Sequence, residues 1–306
     1  MTTTPARTTR TTSSRPAARV RTAHLKRETA WFETGARTVA GMDEVGRGAL
    51  AGPVTVGVVV VDATTRRAPR GLTDSKLLAP ASREEMVPRV RRWGVAWAVG
   101  HASSAEIDEV GIIGGLRLAG RRALATVAAA GIEVDAVLLD GSHDWLSDPQ
   151  PDLLDVLGEL EPPDLADVVP SGVALPGARA YRTLDPASLP APVPPLGVRT
   201  LVKADVQCAS VAAASVLAKC ERDALMRDLA AEHPAYEWQQ NKGYATAAHV
   251  RALEAHGPSA LHRTSWNLPG VTSSGPVAGE PALPGRAADA GPTRADDGAS
   301  RLLDGP

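Results

Sequence analysis

The chain has 306 residues, 43% of them hydrophobic, which is enough apolar material for one substantial core. A formal net charge of -2 excludes a polycation, so any grip on nucleic acid must come from a local basic surface or from metal ions. Two cysteines, Cys208 and Cys220, exclude a disulfide scaffold and a cysteine-rich zinc site. No apolar run approaches the roughly 18 residues that span a bilayer, and the N-terminus lacks the apolar stretch of a secretory signal. The expectation is a cytoplasmic monomer with no membrane contact.

Residues 1–35 are rich in Thr, Arg, Ser, Ala and Pro, and Arg7, Arg10, Arg15, Arg19 and Arg21 all precede the first acid, Glu28. This composition predicts a disordered basic tail able to add salt-sensitive affinity for a polyanion, although transit peptides share it. Thr38 to Met42 is a short apolar approach to a strand end. Val54 to Val61 is a valine-rich buried strand between Gly52-Pro53 and Asp62, and Val95 to Val99 is another strand. Ile112 to Ala130 has helical spacing and stops at Gly131. Ala136 to Leu139 is a strand that ends on Asp140-Gly141, and Val198 to Val202 one that ends near Lys203.

Ala209 to Ala231 and Ala245 to His256 are helices, the second ending at Gly257-Pro258. Residues 146–197 carry eleven prolines and break the rhythm. They read as an insertion looping off the core, with one short helix near Leu153 to Leu160. Residues 269–306 have no hydrophobic periodicity and read as a disordered tail. The alternation predicts an α/β domain with a mixed sheet.

Carboxylates gather at the strand ends. Gly41-Met42-Asp43-Glu44-Val45-Gly46-Arg47-Gly48 places two acids after an apolar strand and before a Gly-Arg-Gly turn. Hard cations take oxygen ligands of this kind, and glycines flanking Arg47 let the backbone approach a phosphate or sugar. Adjacent strand residues point to opposite faces, so Asp43 and Glu44 share one site only if the strand twists or ends between them. Asp140 ends a second strand and Asp205 follows a third. Alone, the first pair reads as an acidic turn, Asp140 as a turn cap and Asp205 as a helix N-terminal acid. Together they are the set of hard ligands that two-metal phosphodiester chemistry requires. Asn241-Lys242-Gly243-Tyr244, with His249 and His262-Arg263 beyond, reads as a polar loop or, beside an acidic site, as a basic and aromatic shelf for a nucleic-acid strand.

These strings resemble the signature of the ribonuclease HII family. Asp43-Glu44-Val45-Gly46-Arg47-Gly48 is followed in order by Asp74-Ser75-Lys76, Leu139-Asp140-Gly141, Lys203-Ala204-Asp205, Arg222-Asp223, Asn241-Lys242-Gly243-Tyr244 and His262-Arg263, from about residue 39 to 266. The resemblance implies a ribonuclease H-like fold: a mixed five-stranded sheet flanked by helices, with a helical C-terminal segment. It implies a catalytic domain over residues 36–268. Asp43, Glu44, Asp140 and Asp205 match the catalytic, metal-binding carboxylates, which take two Mg²⁺ or Mn²⁺ ions. Gly46, Arg47 and Gly48 match the sensor of the ribose 2′-OH, and Tyr244 the residue that stacks on the following deoxyribose. Lys203 and Lys242 fall among the substrate-binding positions.

The implied partners are RNA/DNA hybrids and DNA containing ribonucleotides. The implied cut falls 5′ to a ribonucleotide and leaves 5′-phosphate and 3′-hydroxyl ends. The gap between Asp140 and Asp205 is longer than the family's, and Asp223 is the alternative fourth carboxylate. A non-catalytic hybrid-binding protein and a DNA-specific nuclease on the same fold are the rival readings.

Overall fold

Valine and alanine build the sheet. In a computed structural model, which describes residues 22–148, 194–195 and 197–271, five strands form: β1 (Thr38–Val45), β2 (Val54–Asp62), β3 (Ala96–Ala102), β4 (Ala136–Asp140) and β5 (Val198–Leu201). Their order is β3-β2-β1-β4-β5. β2 runs antiparallel to β1 and β3, whereas β4 is parallel to both β1 and β5. The mixed sheet expected from the sequence is therefore present, and β1, β4 and β5 all point their C-terminal ends to one edge.

Among the described residues, seven α-helices accompany the sheet: α1 (Lys26–Phe32), α2 (Pro80–Trp93), α3 (Ser104–Ala129), α4 (Ala204–Gln207), α5 (Ala209–Glu232), α6 (Trp238–Asn241) and α7 (Ala247–His256). On one face, Leu116, Ala119, Ala123 and Val127 of α3 pack on Ala40, Met42, Val56 and Val58. On the other, Ala212, Ala213 and Val216 of α5 join Val59, with Met86 and Val90 of α2. A third cluster, Leu50, Met226, Tyr236, Trp238, Leu253 and Leu268, ties the C-terminal helices to the loop after β1. Among the described residues, no helix is long and apolar enough to cross a membrane.

Helix α5 lies unusually close to the sheet because glycine faces it. A Cβ on Gly41 would stand 2.3 Å from the backbone of Ser210 and Val211, and one on Gly57 would stand 2.3 Å from the carbonyl oxygen of Ala214. The small residues of α5 complete this contact. They bring its first turns over the end of β1, where the acidic pair lies.

Four boundaries differ from expectation. Residues 22–35 are not part of a tail: α1 forms there, and Trp31 and Phe32 pack on Val39, Leu138 and Val211. Glu28 is buried, and its Oε1 accepts from Ser210 N (2.9 Å) and Ser210 Oγ (2.7 Å), closing the N-terminus of α5 from another segment. Leu146 belongs to the core rather than to an insertion, because Arg121 Nε and Nη2 hold its carbonyl and Arg117 holds that of Ser147. At the C-terminal end, Val271 still packs against the third cluster. The helix expected over 112–130 begins earlier, at Ser104, where Ser103 and Glu106 form a reciprocal capping box, and bends at Gly111. The helix expected near Leu153 to Leu160, residues 1–21 and residues 272–306 lie outside the described residues.

A methyl group at Gly41 has backbone on the other side and nowhere to move. Gly41→Ala is therefore expected to cost about 1–3 kcal/mol, read as a fall in Tm. Gly48→Ala, which meets nothing within 4 Å, should leave Tm nearly unchanged. Equal melting of the two variants would contradict the close helix–sheet approach.

Candidate active site

Three parallel strands deliver their final residues to one edge, and that edge is acidic. Asp43 and Glu44 lie near the end of β1, Asp140 is the last residue of β4, and Asp205 follows β5 across a left-handed turn at Lys203 (φ 60°). Asp140 Oδ1 accepts from the backbone N–H of Ala204 (2.7 Å) and of Asp205 (3.4 Å), so one carboxylate positions the loop that carries another. β1 does not end between Asp43 and Glu44, since both lie within it. Asp43 faces α5, where Ser215 bonds its carboxylate. Glu44 turns to the other face, beside Arg47 and Trp145. The charge of Asp140 acts on both, so the acidic pair straddles the sheet edge.

The electrostatics are those of a site short of positive charge. Burial pushes the Asp43 carboxyl up to about 8, and the charges of Glu44 and Asp140 add to this against the Ser215 bond. Burial raises Glu44 as well, opposed by Arg47 and reinforced by Asp140. Asp205 is pushed up to about 6 by burial and then by the charges of Asp140 and Asp74. Lys76 stands among these acids. Burial lowers its ammonium, but Asp74, Asp43, Asp205 and Asp140 raise it by more.

Glu44 Oε2 is buried and makes no well-formed hydrogen bond, although the donors of Trp145 and Arg47 stand beside this carboxylate. Such a set fits divalent cations with oxygen ligands. Among the described residues, no three Asp, Glu, His or Cys side chains are gathered closely enough to hold one metal ion by themselves. An open set suits Mg²⁺ or Mn²⁺, which keep waters and share ligands with a phosphate.

Beside the acids, the Gly46–Arg47–Gly48 turn is held by two buried arginines. Gly46 has φ 86°, and a Cβ there would fall 2.1 Å from Arg222 Nε. Arg263 donates to the carbonyls of Gly46 (2.6 Å), Arg47 (2.8 Å) and Gly52 (3.2 Å). Arg222 donates to those of Pro53 (2.8 Å), Lys242 (2.9 Å) and Ala51 (3.2 Å). With its carbonyls turned inward, the turn leaves the Arg47 side chain half-exposed, 3.6 Å from Glu44 Oε1. Gly243 O accepts from Leu50 N (2.8 Å), which brings the next residue, Tyr244, to the same loop, with the Arg222 guanidinium 5.6 Å from its ring.

The structure does not bring every sequence candidate to this centre. Asp223 bonds Lys219 Nζ (2.7 Å) and stands 3.8 Å from Arg83, so its charge is already matched, whereas Asp205 faces Asp140. Lys203 is exposed beyond the acids. Lys242 adopts a left-handed conformation, and its Nζ bonds the carbonyl of Gln239. From sequence, Lys76 reads as a residue that orients the site or lies in a surface turn, and Arg263 as part of a nucleic-acid shelf, whereas Arg222 carries no expected role; Arg263 is in fact buried. Their signal was present in the Asp74-Ser75-Lys76, Arg222-Asp223 and His262-Arg263 strings, but only the folded chain shows what they touch.

Asp43 gives this electrostatics a sign that can be tested. Its carboxyl ionises near 3.8 when free and near 8 in the fold. As pH rises from about 4 to 8, the unfolded chain loses this proton and the folded chain resists, so stability is lost through that window. Asn carries no such cost. In metal-free protein, the Tm advantage of Asp43→Asn over wild type should be small near pH 4 and grow towards about pH 8. A difference independent of pH would contradict the burial of charge at this edge.

The chain is similar to known proteins over most of the described residues. The ribonuclease HII family model matches residues 40–161 and 185–268. Ribonuclease HII of Streptomyces coelicolor is 41% identical over 233 residues, covering 76% of this chain and 78% of that protein. Ribonuclease HII of Paracoccus denitrificans is 38% identical over 239 residues, covering 78% and 89%. Among solved structures, the ribonuclease H2 of Pyrococcus horikoshii aligns with 76% of this chain and 94% of its own, at a TM-score of 0.44 and 19% identity. By the extent of the family match and the identity to these relatives, the chain belongs to the ribonuclease HII family, the ribonucleases H that cut the RNA strand of RNA/DNA hybrids as endonucleases.

Proposed function

We propose that the chain hydrolyses the RNA strand of hybrids and also cuts 5′ to single ribonucleotides embedded in duplex DNA, with two Mg²⁺ or Mn²⁺ ions held by Asp43, Glu44, Asp140 and Asp205. The observation that carries this reading is the convergence of four carboxylates on one sheet edge, with Arg47 Nη1 3.6 Å from Glu44 Oε1. When bound, such ions supply activation of the attacking water and charge stabilisation at the leaving 3′-oxygen. The chain's own part is to hold and orient. Asp43 and Asp140 present oxygens from the α5 face of the sheet, Glu44 from the other, and Asp205 from the loop that Asp140 fixes. Lys76 offsets the charge of these acids and faces the space where an anionic backbone would lie.

The turn supplies selectivity. Gly46 and Gly48 leave the backbone bare for close approach to a ribose 2′-OH, the group that tells RNA from DNA. Arg47 offers its guanidinium to phosphate or sugar. Tyr244 offers a flat face for the following deoxyribose. Lys203 and Lys242 lie along the flanks as phosphate contacts. A protein that only bound hybrids would have no use for carboxylates buried against their own charge, and a nuclease specific for DNA would have no 2′-OH to read.

Two substrates test this together: a duplex with one embedded ribonucleotide and a hybrid with an all-RNA strand. Excess EDTA should abolish cleavage of both, and Mg²⁺ or Mn²⁺ should restore it without Zn²⁺. Asp140→Asn should nearly abolish cleavage while hybrid binding persists or tightens, because one repulsive charge is gone. Tyr244→Ala removes a stacking surface worth about 1–3 kcal/mol. It should lower the rate on the single-ribonucleotide duplex more than on the hybrid, with the metal requirement unchanged. Full activity in EDTA would overturn the metal assignment, and an unchanged ratio in Tyr244→Ala would overturn the role of that ring.

A further inference from the structure

We propose that His262 and Arg263 form a two-armed brace that sets the selectivity for a ribonucleotide junction, one arm fixing the Gly46–Arg47–Gly48 turn and the other fixing Tyr244. The proposal rests on the reading of the turn and Tyr244 given above and deepens it. Both side chains are buried, and neither faces the carboxylates.

The first arm is Arg263. Its backbone N–H donates to Leu50 O (2.9 Å), and His262 pairs with Ala51 in a bridge, so this dipeptide lies against the loop that follows the turn. The guanidinium then spans the carbonyls of Gly46, Arg47 and Gly52. Among the described residues no carboxylate pairs with it directly; Asp108 acts on it only at longer range, the Trp266 ring lies 4.8 Å from its guanidinium, and its Nε is buried without a hydrogen bond. A buried cation without a carboxylate is costly, and an apolar side chain would fill the same space more cheaply. What the guanidinium alone provides is a rigid planar fork that reaches three carbonyls at once. A lysine ammonium is a point charge on a flexible stem and cannot hold all three.

The second arm is a chain of ring nitrogens whose protons are all assigned by their partners. Ser259 N donates to His262 Nδ1 (2.9 Å), so that nitrogen is bare and His262 carries its proton on Nε2. Trp238 Nε1 donates to His249 Nε2 (3.1 Å), so His249 carries its proton on Nδ1. His249 Nε2 has a single lone pair, which the N–H groups of Trp238 (3.1 Å) and His262 (3.0 Å) therefore share, and His249 Nδ1 donates to Tyr244 O (3.0 Å). The chain runs without a break from the Ser259 loop to the backbone of the residue that stacks on substrate. Thr246 adds to it by accepting from His249 N (3.3 Å) as it caps α7. Adjacent residues 262 and 263 thus grip the two recognition elements separately and hold them at a fixed spacing.

The test compares the ratio of cleavage rates on the single-ribonucleotide duplex and on the all-RNA hybrid, with Tm measured alongside. Arg263→Lys keeps the charge and loses the fork. His262→Asn keeps an acceptor for Ser259 N and loses the reach to His249. His262→Gln keeps a donor at the Nε2 position and should retain the second arm. Val127→Ala opens a cavity in the core under α3, away from the brace, and reports what lost stability alone does. We expect Arg263→Lys and His262→Asn each to lower the ratio by about tenfold or more, His262→Gln to stay near wild type, and Val127→Ala to lower Tm with the ratio intact.

If Arg263→Lys fails to fold, the two His262 variants decide the matter. Lower Tm with an unchanged ratio in Arg263→Lys and His262→Asn would overturn the brace. A wild-type enzyme with no preference for the junction substrate would instead overturn the reading beneath it, and the two failures are told apart by the wild-type ratio alone.

Discussion

Negative charge held together out of water is the constraint on which the rest of this molecule depends. Asp43, Glu44 and Asp140 crowd one sheet edge, and burial with mutual repulsion raises the first two. Each feature around them keeps the arrangement from relaxing. β1 is pinned between β2 and β4. Helix α5 presses on Gly41 and Gly57 and leaves β1 no room to shift. Glu28 fixes the start of α5 from a separate helix, and Asp140 fixes the loop that bears Asp205. Hydrophobic burial on both faces of the sheet supplies the free energy that holds the acids in place.

A few ångströms away the opposite problem is solved in a different way. Arg222 and Arg263 are buried cations that donate to carbonyls of the turn and its flanks. They do not quench the acids, because Arg222 and both Nη groups of Arg263 are engaged with backbone carbonyls. Arg47 remains the guanidinium that faces the acidic edge from the turn, and Lys76 the ammonium that faces it from the other side. The centre therefore keeps its net negative charge while the turn beside it is held rigid. On the function proposed above, the acidic centre would attract divalent cations and the rigid turn would discriminate among sugars.

The sequence made the centre legible for a physical reason. Strands end where polar residues interrupt apolar runs, so Val137-Leu138-Leu139-Asp140 announces both the strand and its acid. Parallel neighbours bring such ends together, and the four acids could be grouped before any coordinate was known. Other parts were hidden. α1 sits behind twenty-odd residues of basic, low-complexity chain, and its apolar anchors, Trp31 and Phe32, are too few to give a period. α2 carries Pro88 and a run of arginines, which masks the spacing of Met86 and Val90.

The carbonyl contacts of Arg222 and Arg263 were not legible, because a buried arginine bonded to carbonyls leaves no acidic partner in the sequence to reveal it, and Arg263, expected on a nucleic-acid shelf, is buried instead. The straddling of the sheet edge by Asp43 and Glu44 could not be foreseen either. Alternation within one strand says that they part, and only the neighbouring Asp140 brings them back to one centre.

On the function proposed above, divalent cations complete a carboxylate cluster that is otherwise destabilised by its own charge. Calorimetric titration of Mn²⁺ into the metal-free protein near pH 7, repeated in buffers of different ionisation enthalpy, tests it most directly by counting the protons released on binding. Asp43, with its carboxyl at about 8, is mostly protonated there and must give up its proton to ligate. Release of about one proton per protein, lost in Asp43→Asn, is the predicted result. Binding with no proton release, or with the same release in wild type and Asp43→Asn, would contradict it.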